Sequence, residues 1–202
     1  MDSKKFQNKY RTDSHRLKNF DYTSDAAYFI TICTHNREHF FGKIIDGQMI
    51  LNETGKIVHD EWKKTASIRK NIIVDEFIIM PNHIHGILII NNNDNTHNIN
   101  DTDVLPNDTD VLPNGGRDVL AKRLYDGNHK NMSEISPEKN SISVIIRFIK
   151  RQSTIRIRKT IPGFKWQPNY YDHIIRNKSS LNRIRNYIKN NPKNWKNDSF
   201  YL

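Results

Sequence analysis

The chain has 202 residues, enough for one domain with a buried core, and its 32 Lys plus Arg against 22 Asp plus Glu leave a formal charge of +10. No apolar run reaches the ~20 residues of a membrane span, and the start "MDSKKFQNKYRTDSHR" lacks the apolar segment of a signal peptide, so a cytoplasmic protein with no membrane partner is expected. The positive excess concentrates polyanions around the molecule, which makes nucleic acid a candidate partner; a merely solvated surface accounts for the charge equally well.

In chain order, residues 26–34, "AAYFITICT", are rich in aromatic and β-branched types and predict a buried strand. Cys33 is the single cysteine; it excludes an intramolecular disulfide and suits a small core position. In "KIIDGQMIL" the pair Asp46-Gly47 between two short apolar runs predicts a hairpin. "NETGKIVHDEWKKTASIRK" predicts a helix capped by Asn52 or Thr54, with Val58, Trp62 and Ala66 along one face. "IIVDEFIIM" predicts a strand, "MPN" a turn, and "HIHGILII" an antiparallel return.

From 91 to 140 the composition shifts to Asn, Asp, Thr, Gly and Pro, and the heptapeptide "DTDVLPN" occurs in tandem at 101–107 and 108–114. Two short polar copies cannot build a solenoid, so the stretch reads as a flexible insertion in a single domain whose core occupies about 22–90 and 141–195. Order returns at "SISVIIRFIKRQSTIRIRK", where Ile142, Ile145, Ile146 and Ile149 follow helical spacing; "TIRIRK" fits a prolonged helix or an alternating strand. "GFKWQPNYYDHIIRNK" predicts a loop and short strand. "SSLNRIRNYIKNN" predicts a last helix capped by Ser179 or Ser180, with Leu181, Ile184 and Ile188 as its buried stripe and Pro192 at its end. This order suits an α+β sandwich of helices on an antiparallel sheet.

On a strand, His83 and His85 point the same way and Ile84 the other, so both imidazoles can reach one metal ion. The competing reading is a histidine pair on the solvated face of a half-buried strand. On the last helix Tyr187 and Asn191 are four apart and share a face. A phenol stabilised by a cation is a nucleophile and an amide oxygen is a hard ligand for Mg²⁺ or Mn²⁺, whereas ordinary packing beside Ile184 and Ile188 explains Tyr187 without chemistry. Arg147, Lys150 and Arg151, with Arg156 and Arg158 beyond them, are candidates for gripping a DNA backbone, the alternative being a solvated helix face. Trp166 offers either a stacking platform for an unpaired base or a core side chain.

"MPNHIHGIL", followed downstream by "WQPNYYDHIIRNKSSLNRIRNYIKNNPKNW", closely resembles the REP-associated tyrosine transposases, the single-tyrosine branch of the HUH nuclease superfamily related to insertion-sequence transposases. "YFITICTHNREHFFG", "GKIVHDEW" and "VDEFIIMPNHIHGILI" fit the same pattern, so the resemblance runs from about 22 to 195 outside the insertion. It implies a ferredoxin-like, RRM-like α+β domain of the HUH nuclease and transposase type, with a divalent cation, Mg²⁺ or Mn²⁺, on His83 and His85. It further implies Tyr187 as nucleophile, ahead of Tyr170 and Tyr171, and Asn191, beside Asn190, as a further ligand.

The implied activity is metal-dependent endonuclease and strand-transfer chemistry on single-stranded DNA carrying an imperfect REP-like hairpin, through a 5′-phosphotyrosine, by a monomer or a homodimer. Two rivals are a catalytically silent hairpin-binding protein and a water-using metal phosphodiesterase.

Overall fold

The structure, a computed structural model, describes residues 20–92 and 140–201. The expected flexible insertion with its tandem heptapeptide lies outside the described residues, apart from its ends. Strand β1 (Ala26–Cys33) leads into a hairpin, β2 (Gly42–Ile45) and β3 (Gln48–Leu51), followed by helix α1 (Glu53–Ile68), β4 (Ile72–Ile79) and β5 (His83–Ile90). Beyond the insertion come α2 (Ile142–Ile157), β6 (Tyr171–Ile175) and α3 (Lys178–Asn190).

Without the hairpin this is a βαββαβ order, and the four long strands form one antiparallel sheet in the order β4-β5-β1-β6. That is the ferredoxin-like arrangement with an additional C-terminal helix, the expected α+β class.

Each face of the sheet carries its own core. Tyr28, Ile30 and Ile32 of β1 and Ile84, Leu88 and Ile90 of β5 pack under Val58 and Trp62 of α1 and the isoleucine stripe of α2. Their odd-numbered neighbours Phe29, Ile87 and Ile89 turn to the other face, where Ile184 and Ile188 of α3 cover them. Side chains alternate along a strand, so β5 is wrapped on both faces and every one of its residues is buried.

Local signals explain most element ends. Asp46 and Gly47 adopt φ of 50° and 70°, the left-handed pair that a two-residue hairpin turn requires. Asn52, not Thr54, caps α1, its Oδ1 accepting from Gly55 N–H at 2.9 Å. The "TIRI" segment continues α2 to Ile157, which is buried in the core, so its strand alternative is not realised. The cap of α3 is Asn177, whose Oδ1 accepts from Ser180 N–H at 2.7 Å, instead of Ser179 or Ser180. An Asn side chain satisfies an open N–H as well as a Ser does, and the helix begins one residue before the first serine.

A β-bulge in β4, between Val74 and Phe77, anchors α3. A regular strand would send Asp75 and Glu76 to opposite faces; at the bulge both reach α3. Arg185 donates to Asp75 through Nε at 2.9 Å and Nη2 at 2.6 Å, and Lys189 Nζ lies 3.2 Å from Glu76 Oε2.

At Gly86 the other face admits no side chain, because a Cβ there would stand 2.4 Å from Cζ2 of Trp62 and 2.9 Å from Cβ of Phe77. Gly86→Ala is expected to lower the unfolding free energy by about 2 kcal/mol, the range for overpacking a filled core, read as a lower urea midpoint at unchanged m-value.

Candidate active site

His83 and His85 are fully buried on the face of β5 that α3 covers, so the reading of a solvated histidine pair does not hold. Their ring centroids are 4.4 Å apart. Asn82 sets the first ring. Its Nδ2 donates to the carbonyls of Arg37 at 3.0 Å and Phe200 at 2.9 Å, which leaves Oδ1 to face His83 Nδ1 at 2.8 Å. An amide oxygen only accepts, so His83 carries its proton on Nδ1 and turns the lone pair of Nε2 toward the site. For His85, Nδ1 lies 2.8 Å from Oγ1 of Thr31, its cross-strand partner in β1, and Nε2 lies 3.2 Å from the Tyr187 hydroxyl.

Helix α3 brings Tyr187 over the sheet, its ring centroid 5.2 Å from that of His85 and 6.1 Å from that of Phe29. One turn later Asn191 is buried at the C-cap of the helix. The chain then turns at Pro192, passes a single 3-10 turn at Trp195–Asn197, and lays residues 198–200 back on the histidines. The Phe200 ring centroid is 4.6 Å from that of His83, and the Arg37 guanidinium lies over the Phe200 ring, 5.0 Å from its centroid, while donating to the Ser199 carbonyl at 2.9 Å.

Three buried atoms of this cluster have no hydrogen-bond partner: Nε2 of His83, Oδ1 of Asn191 and Oδ2 of Asp198. All three are lone-pair atoms. Ligand atoms of His83, His85 and Asp198 lie within 4.8 Å of one another, the only such His, Cys, Asp or Glu grouping among the described residues. Buried acceptors left unpaired are costly, and a divalent cation is the group that satisfies several of them at once. The residues therefore fit a metal ion, and the mixed nitrogen and oxygen set suits one of the Mn²⁺ type.

Burial controls the protonation of the site. Desolvation takes His85 down to about 3 and His83 well below the ordinary histidine range, with His85, Arg37 and His39 adding to the effect on His83. Both rings are neutral, the form that ligates a metal. The Tyr187 phenol is pushed up to about 12, first by burial and then by the Asp198 charge, against a smaller opposite pull from the Asn191 side chain. Both shifts work against proton transfer from this phenol to His85, and the pair is a neutral contact of 3.2 Å.

Comparison with known proteins bears on this geometry. A family model described as IS200-like transposase matches residues 121–191, which include α2, β6 and the helix that carries Tyr187. An uncharacterized protein of Haemophilus influenzae is 37% identical over 188 residues, 93% of this chain and 91% of its own length. The chain belongs to the IS200-like transposase family. Its fold is that of the REP-associated tyrosine transposases: a solved member, determined bound to a REP hairpin, superposes with a TM-score of 0.52 at 14% identity, over 95% of this chain and 76% of the other.

The other expected site residues of the transposase lie elsewhere. Helix α2 packs on the face of the sheet away from the histidines, because Ile84, between them, points toward it. Arg147 and Arg151 are exposed there. Lys150 is occupied: Nζ donates to the carbonyls of Gln167 at 2.7 Å and Asn169 at 2.8 Å, and burial lowers its pKa to about 8. Arg156 pairs with Glu61 of α1 at 2.6 Å, and Arg158 Nε donates to the Phe164 carbonyl at 3.0 Å. Trp166 is half-buried at the edge of the core, 5.3 Å by ring centroid from each of Phe41 and Phe164. Of the competing tyrosines, Tyr170 reaches Ser143 of α2 at 3.4 Å, and Tyr171 pairs with Thr31 and packs edge-on to Phe29.

Asn82, Thr31, Arg37 and Asp198 are absent from the sequence reading. Asn82 stood in plain view before the first histidine, within a turn signal; the other three reach the site only through tertiary folding.

Because both buried rings bind a proton more weakly than the unfolded chain, for which histidine titrates near 6.5, the unfolded state gains protons first on acidification. The stability they contribute is fully present above about 6.5 and is lost as pH falls, at about 1.4 kcal/mol per pH unit per histidine for as long as the folded ring resists protonation. Urea unfolding with chelator across pH 7 to 4.5 should show that slope, and His85→Gln should remove its share.

Proposed function

We propose that this transposase is a single-strand DNA endonuclease and strand transferase that acts beside a DNA hairpin through a covalent bond to Tyr187. One observation carries the reading. The phenol oxygen of a C-terminal helix stands 3.2 Å from one of two buried neutral imidazoles, beside acceptor atoms that lack partners. His83 and His85 would hold a divalent cation, Mg²⁺ or Mn²⁺, with Asn191 as a further ligand. Bound there, the cation supplies positive charge that favours the phenolate and offsets charge developing on the phosphate oxygens.

The chain's own residues do the rest. Asn82 and Thr31 fix the two rings with Nε2 inward, a supporting role that metal-binding histidines regularly need. The Asp75 and Glu76 pairs at the bulge hold α3, and with it Tyr187, against the sheet. Tyr187 Oη gives up its proton as it attacks the scissile phosphorus, the bond from phosphorus to the 3′ oxygen breaks, and the leaving oxygen takes up a proton to become a free 3′-OH, so the proton count is unchanged. The product is a 5′-phosphotyrosine. Because one phosphoester replaces another, a second 3′-OH can reverse the step and join strands without a nucleotide cofactor.

The hairpin-bound state of the solved structural relative and the charge of +10 support a hairpin-bearing DNA as substrate. Arg147 and Arg151, exposed on α2, are the proposed contacts to DNA that wraps past the edge of the sheet, with affinity falling as salt rises.

A labelled single-stranded hairpin incubated with Mn²⁺ or Mg²⁺ and resolved on a denaturing gel is expected to give a protein–DNA band. Tyr187→Phe should abolish that band, a loss of ~10³-fold or more, while hairpin binding persists. Cleavage that survives Tyr187→Phe would show that water is the nucleophile, and binding without cleavage by the wild type would mark a silent hairpin-binding protein.

A further inference from the structure

We infer that Asp198 is itself a ligand of the cation, so that metal binding fastens the C-terminal segment over the histidine pair. The inference rests on the metal site proposed above and adds a residue that neither the HUH pair nor the catalytic helix contains.

Charge is the first argument. His83, His85 and Asn191 are all neutral, and a dication seated among neutral groups in a buried site lacks the counter-charge that makes such burial tolerable. Asp198 brings a carboxylate within 4.8 Å of the ligand atoms of both histidines. Bond accounting is the second. Oδ1 of Asp198 accepts the N–H of Phe200 at 2.8 Å, whereas Oδ2 is buried with no partner. One oxygen is used to shape the turn and the other is left buried and unpaired in a carboxylate that stands beside the imidazoles.

The third argument is that the segment is held in place to present this carboxylate. Trp195 is buried, its ring centroid 5.7 Å from that of His39 and 5.9 Å from that of His83. The Phe200 carbonyl accepts from Asn82 at 2.9 Å and the Ser199 carbonyl from Arg37 at 2.9 Å. Asn82 thus orients a histidine ligand with one end of its amide and anchors the Asp198 segment with the other.

The test titrates Mn²⁺ alone, without DNA, into the full chain by isothermal calorimetry, and records the rise in melting temperature that Mn²⁺ produces. Asp198→Asn keeps the shape and the acceptor for Phe200; it is expected to weaken Mn²⁺ binding at least tenfold and to shrink the thermal rise, with the melting temperature in chelator unchanged. Asp198→Ser, which also accepts from Phe200, gives a second version should the first fail to fold. His83→Ala serves as the reference for a lost ligand. If His83→Ala loses Mn²⁺ and both Asp198 variants bind it as the wild type does, Asp198 is no ligand and the histidine site stands. If the wild type itself takes up no Mn²⁺, the metal site falls and this inference with it.

Discussion

Alternation along β5 is the constraint on which the rest of the molecule depends. Ile84, Leu88 and Ile90 close the larger core under α1 and α2, and Gly86 leaves room there for the indole of Trp62. The same two-residue period delivers His83 and His85 to the opposite face, where no helix of the ferredoxin-like core reaches. Helix α3 and the tail that follows it cover that face, so the fold that buries the histidines also supplies the phenol that meets them. A slip of one residue in the pairing of β5 with β1 would exchange the two sets and destroy core and site together.

Burial then determines the chemistry. Desolvation keeps both imidazoles neutral and makes the phenol a weaker acid than a free tyrosine. Taken alone, these shifts oppose nucleophilic attack at neutral pH. They become useful in company with a cation, because neutral imidazoles bind metal without displacing protons and a buried positive charge acts on the phenol with little screening. The unpaired lone pairs of His83, Asn191 and Asp198 are the atoms such a cation would satisfy.

The sequence was legible wherever function depends on local spacing. The Asp46-Gly47 turn, the Val58 and Trp62 stripe and the Ile184 and Ile188 stripe are each set by neighbours a few residues away, and each appears as expected. The shared face of the histidine pair follows from the same kind of local rule, whereas spacing alone left Tyr187 open to ordinary packing and its naming rests on the family resemblance. What periodicity does not encode is which face of the sheet a helix covers. The basic positions of α2 could be picked out from the helical repeat, yet their separation from the histidines follows from the chirality of the βαβ crossings and the alternation in β5. Lys150 and Arg156 look alike in sequence, whereas one is enclosed by loop carbonyls and the other pairs with Glu61. Asp198 lies past the last periodic segment and becomes a neighbour of the histidines only when the chain folds back.

The site is drawn from two bodies joined by few covalent links. His83, His85 and Thr31 belong to adjacent strands in the middle of the sheet, while Tyr187, Asn191 and Asp198 follow one another along a single C-terminal run. That run is tied to the edge strand at the bulge by two ion pairs, to the sheet by a patch of aliphatic contact, and near its end to Asn82 and Arg37 by hydrogen bonds. A tilt of α3 would therefore move the Tyr187 phenol and the Asn191 amide relative to the imidazoles, whereas Asp198 belongs to a segment held by Asn82 and Arg37. The geometry of the cluster is thus set at two separate anchorages, the bulge that seats the helix and the Asn82 amide that seats the tail.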